Sequence, residues 1–95
     1  MESNSKKRIA MRVYGKVQGV FFRATTQEKA RALGLTGFVQ NELGGTVYLE
    51  AEGDVKALSQ LEQWAHEGPS RASVEKVEVE EKESLLGFEE FEQRR

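Results

Sequence analysis

A chain of 95 residues supports one domain with one core and excludes a second. With 38% hydrophobic and 32% charged residues it fits a soluble globule better than a disordered segment, and a net charge of −2 argues against a nonspecific nucleic-acid binder while leaving room for a local cationic pocket. Cysteine is absent, which removes disulfides, thiolate nucleophiles and Cys-ligated zinc together; the one histidine, His66, makes no metal site alone.

Residues 1–7 are polar, lack the apolar centre of a signal peptide and read as a flexible N-terminal arm. No apolar run is long enough to cross a bilayer, so the expectation is a cytoplasmic protein with no membrane partner. The domain is expected over residues 8–92, with residues 93–95 as a polar tail.

Residues 8–14 alternate Ile9, Met11 and Val13 with Ala10, Arg12 and Tyr14, the period of a half-buried strand. The stretch YGKVQGVFFRATT, residues 14–26, then changes from strand-like to helix-like composition and carries Gly15, Gly19, two cations and no acidic residue. Backbone N–H groups can converge on an anion at such a turn, with Gly15 and Gly19 permitting tight conformations and Arg23 aiming into the same concavity. The spacing is equally compatible with a plain strand-to-helix connection in which Phe21 and Phe22 anchor the helix. Neither G-x-G-x-x-G nor a Walker loop is present, so a nucleotide is not implied.

The helix that follows places Phe22, Thr26, Ala30 and Leu33 on one face and stops at Gly34. From Thr36, TGFVQNELGGTVYLEAEG reads as two strands around a two-residue turn at Gly44-Gly45, with Val47, Leu49 and Ala51 buried and Tyr48, Glu50 and Glu52 wet. Asp54 is suited to N-cap a second helix whose stripe is Val55, Leu58, Leu61 and Ala65, with Trp64 at its edge and Gly68-Pro69 as terminator. His66 falls late in that helix, facing solvent. Residues 74–81 return to strand character, and Val74 slips out of the alternation of Val77 and Val79, which hints at a bulge or a later start. Residues 85–95 offer a short edge strand.

The order βαββαβ implies a ferredoxin-like α+β sandwich, an antiparallel sheet with both helices on one face. In it the second strand is expected near the turn after the first, which brings Asn41 toward the glycine loop. An uncharged amide there can hold a water without repelling a phosphate, although a polar residue beside a turn explains Asn41 as well.

These two stretches together resemble the paired signatures of the acylphosphatase family. Gly15, Val17, Gln18, Gly19, Val20, Phe22 and Arg23 match the first, and Gly37, Val39, Asn41, Gly45 and Val47 match the second. Phe38 and Gly44 depart from the tryptophan and aspartate common there. The resemblance implies hydrolysis of an acyl phosphate to a carboxylate and inorganic phosphate. The backbone amides of Gln18, Gly19, Val20, Phe21, Phe22 and Arg23, with the Arg23 guanidinium, would hold the phosphoryl oxygens, and Asn41 would place the attacking water. A carboxylate leaves readily, so no metal, cofactor or covalent intermediate is expected. The expected partners are the small-molecule acyl phosphate and inorganic phosphate, and the expected state is a monomer. The rival expectation is a non-catalytic module that binds a phosphate or carbamoyl-phosphate-type anion. An RNA-binding domain would want exposed aromatics on central strands and basic surroundings, which the sequence lacks, so no nucleic acid is expected.

Overall fold

The computed structural model describes residues 5–95. Its elements are β1 (Lys6–Lys16), α1 (Phe22–Ala32), β2 (Thr36–Asn41), β3 (Val47–Asp54), α2 (Val55–Ala65), β4 (Ser73–Lys82) and β5 (Phe91–Arg94). Lys6 and Lys7 belong to β1 rather than to an arm, because they pair with Asp54 and Gly53 of β3. Residues 1–4 of the expected arm lie outside the described residues. Gln93 and Arg94 pair with β2 rather than forming a tail.

The strands form one sheet in the order β4-β1-β3-β2-β5. Alternate residues of the central strands, among them Met11, Val13, Val39, Val47 and Leu49, share a core with Phe22 and Ala30 of α1 and Leu58, Leu61 and Ala65 of α2, so both helices cover one face. The ferredoxin-like arrangement is the expected one, but the sheet is mixed: β5 runs parallel to β2, with Gly37 opposite Phe91. The reason is the route of the chain. β4 ends at one edge, where Lys82 lies beside Arg8, and β5 begins at the other edge beside the start of β2. The connecting segment therefore crosses one end of the sheet, and its strand can only run the way β2 does.

That crossing covers part of the face expected to be wet. Glu52 is buried, and its carboxylate accepts the N–H groups of Leu86, Gly87 at 3.1 Å and Phe88 at 3.2 Å. Phe38 is also buried, outside the helix-side core, with its ring 5.8 Å from that of Phe88 and the Arg94 guanidinium 3.9 Å above it. Three backbone donors offset the cost of burying the Glu52 carboxylate.

The helix ends follow their sequence signals. Asp54 Oδ1 accepts from Lys56 N at 2.8 Å, and Gly34, at φ 76°, closes α1 while Leu35 N donates to the Ala30 carbonyl. Val55, expected in the buried stripe, is exposed in the first turn, and Val79 is exposed on the edge strand, beyond the cover of the helices. The anomaly at Val74 is a bulge: Tyr14 pairs with Lys76 and Gly15 with Val74, which leaves Glu75 unmatched. Trp64 packs on Phe22 at 5.4 Å. Among the described residues, no helix is long and apolar enough to cross a membrane.

Candidate active site

β2 does not adjoin β1, because β3 lies between them. Two antiparallel pairings in succession leave β1 and β2 parallel, so both deliver their C-terminal ends to the same end of the sheet. The loop after β1 and Asn41 at the end of β2 meet there.

The loop reaches α1 through two left-handed residues, Gly19 at φ 73° and Phe21 at φ 64°. Phe21 is the N-cap residue of α1, yet among the described residues no side chain caps the helix, and no acidic residue sits in its first turn. Among the described residues, no turn or cap hydrogen bond occupies the N–H groups of residues 19–24. These free donors, added to the positive end of the helix dipole, make an anion cradle. A cavity of about 230 Å³ opens beside them, lined by Val17, Gly19, Phe21, Phe22, Arg23, Ala24, Asn41 and Gln93.

Arg23 and Asn41 therefore face one space, as the sequence leads one to expect, with Gly19, Phe21 and Phe22. Asn41 pairs with Val47 through its backbone, and its carboxamide meets no hydrogen-bond partner among the described residues. Arg23 is half-buried, and its Nη1 donates to the Arg94 carbonyl at 2.9 Å, which anchors the guanidinium.

Other residues of the stretch serve the scaffold. The Val20 side chain is buried in the core, outside the cavity lining. Gln18 also stays out of the lining; its Nε2 donates to the carbonyls of Glu42 and Thr46, both at 2.8 Å, and so ties the loop to the β2–β3 connection. Gly15 is not part of the cradle. It lies at the bulge, where a Cβ would strike the Ser73 carbonyl, so its freedom serves strand packing. Phe21 anchors nothing: it is 70% exposed, and Phe22 alone enters the core.

The β2–β3 connection is longer than the expected two-residue turn. Glu42 N donates to the Thr46 carbonyl at 2.9 Å and Gly45 N to the Glu42 carbonyl at 3.2 Å, with Gly44 and Gly45 both at positive φ. Glu42 is the buttress. Arg12 Nε and Nη2 donate to its two carboxylate oxygens at 2.7 and 2.9 Å, and Thr46 Oγ1 donates to Oε1 at 2.7 Å. The hydrogen-bonded Arg12 guanidinium, aided by Thr46, holds the Glu42 carboxyl down at about 2 against the opposing effect of burial. Glu42 in turn raises the pKa of Arg12.

A second support comes from the last strand. Gln27 Nε2 and Arg31 Nε donate to the Phe91 carbonyl at 3.1 and 3.2 Å, and Gln93 Nε2 donates to Gln27 Oε1 at 2.8 Å. The spacing of Arg23, Gln27 and Arg31 by fours marks one polar stripe of α1, a signal available in the sequence. Nothing in the sequence pointed to Gln93, to the Arg94 carbonyl or to the Arg12–Glu42 pair. His66 lies at the end of α2, 4.0 Å from Glu62 Oε2 and outside the cavity lining.

Comparison with known proteins agrees with this geometry. The acylphosphatase family model matches residues 9–93. An acylphosphatase of Salinibacter ruber is 47% identical over 95 residues, covering all of both chains. The structure of an acylphosphatase from Coxiella burnetii superposes with a TM-score of 0.92 at 38% identity, covering 99% of this chain and 100% of that one. The acylphosphatase of Bacillus subtilis gives 0.91 at 32% identity, covering 96% and 100%. A family match across nearly the whole length, with the cradle, Arg23 and Asn41 meeting at one cavity, means that this chain belongs to the acylphosphatase family.

Proposed function

We propose a mechanism for the acyl phosphate hydrolysis that family membership assigns to this chain. The phosphoryl group lies in the cradle, its oxygens accepting from the loop amides of residues 18–23 and from the free N–H groups of Arg23. These donors are fixed before substrate arrives, and they stabilise the charge on the equatorial oxygens as the bond to the carboxylate breaks. Asn41 holds a water through its carboxamide, in line with the leaving oxygen. The water attacks phosphorus, a carboxylate departs, and the water proton passes to a phosphoryl oxygen. The leaving group is the conjugate base of a strong enough acid that neither a metal nor a protein acid is required.

The observation that carries this reading is the shared cavity: a helix N-terminus and a carboxamide that meet no side-chain cap or hydrogen-bond partner among the described residues, with an anchored cation, line the same 230 Å³. A purely anion-binding module would need the cradle but not Asn41. The reading also includes a single domain acting as a cytoplasmic monomer without metal, cofactor, nucleic-acid or membrane partner. Phosphate release from benzoyl phosphate in EDTA tests it. Wild type should turn over, and Asn41→Ala should lose about 10²–10³-fold in kcat while inorganic phosphate still binds. An inactive wild type that binds phosphate would leave only the anion-binding module.

A further inference from the structure

Phe21 stands out among the cavity residues. It is the only non-glycine at positive φ among the described residues, and its ring is 70% exposed. Left-handed backbone carries a steric cost for a phenylalanine, and an exposed ring gains little from burial to offset it. The amide cradle needs the backbone conformation, which glycine would supply more easily, as it does at Gly19. The ring itself therefore calls for a separate reason. Leu43, Leu85 and Leu86 are also exposed, but none of them lines the cavity.

We infer that the Phe21 ring is the contact for the acyl group, and that it selects acyl phosphates whose acyl part is aromatic or bulky and apolar. This inference rests on the hydrolytic reading above. With the phosphoryl group against the amides, the carbonyl and its substituent must leave the cavity over the rim, where Phe21 stands. The polar wall formed by Asn41 and Gln93 offers an apolar substituent little. A flat ring with one free face offers it a stacking surface.

Benzoyl phosphate and acetyl phosphate share the phosphoryl group and differ in the acyl part, so the ratio of their kcat/KM values isolates that contact from any damage to the cradle. Phe21→Ala should lower the benzoyl-to-acetyl ratio about 3- to 10-fold, mainly through KM for benzoyl phosphate. Phe21→Gly, which suits the left-handed backbone, should lower it likewise, and Phe21→Trp should preserve it. An unchanged ratio in both small variants, with both substrates still hydrolysed, overturns the role of Phe21 alone. Hydrolysis of neither substrate by wild type overturns the hydrolytic reading and this inference with it.

Discussion

Arg23 Nη1 donates to the carbonyl oxygen of Arg94 at 2.9 Å, so the cation at the candidate site is fastened to the final strand of the sheet. A guanidinium has five N–H groups in a planar fork, and one used on Arg94 leaves the others free to donate to a phosphate. Lysine has no such fork. Arg23→Ala should weaken inhibition by inorganic phosphate about 10- to 100-fold, the size of a charged hydrogen bond, and Arg23→Lys should recover only a small part. Product-inhibition constants measure this directly.

Gln18 bridges two carbonyls with one amide nitrogen, and its removal leaves both without their side-chain donor. Gln18→Ala should cost about 1–3 kcal/mol in urea unfolding. Because the Glu42 carbonyl follows directly on Asn41, the same variant should lower kcat more than it changes phosphate affinity. Equal stability with unaltered kcat would show that the bridge positions nothing.

The Arg12–Glu42 pair predicts an acid response. The folded-state pKa of Glu42 is depressed from 4.5 to about 2, so its contribution is fully present above about 4.5 and is lost as pH falls toward 2. Side chains of the pair are 40% and 23% exposed, so screening keeps the contribution at pH 7 to about 1 kcal/mol or less. Glu42→Gln should therefore lower stability modestly at neutral pH and flatten its decline between pH 4.5 and 2. Urea midpoints measured across that window provide the check.

Two glycines at positive φ should respond unequally to alanine. At Gly15 a Cβ would collide with the Ser73 carbonyl and come within 2.8 Å of Glu75 N, both rigid backbone. Gly15→Ala should cost about 3 kcal/mol or more, through strand separation at the bulge. At Gly44, also at positive φ, a Cβ would meet nothing within 4 Å, so Gly44→Ala should cost only the left-handed penalty of about 1–2 kcal/mol. Comparable unfolding midpoints for the two variants would contradict this account.

The sequence by itself determined the order of the elements of this protein and several of their ends. Alternation in residues 8–14 marked β1, Asp54 marked the start of α2, Gly34 closed α1, and the irregularity at Val74 marked the bulge. These are short-range effects, in which a residue's own side chain or its neighbours within one turn set the backbone. The resemblance of residues 14–26 and 37–47 to acylphosphatase signatures also singled out Arg23 and Asn41, which line one cavity. Only the tertiary structure decided that β5 runs parallel to β2, that Gly15 serves packing, that Gln18 and Glu42 brace the site, and that Arg23 leans on Arg94. Each of these joins residues far apart in the chain, through a crossing strand, a close backbone approach or side-chain hydrogen bonds. Periodicity carries no trace of such contacts, because which donor meets which carbonyl is fixed only when the sheet order brings them together.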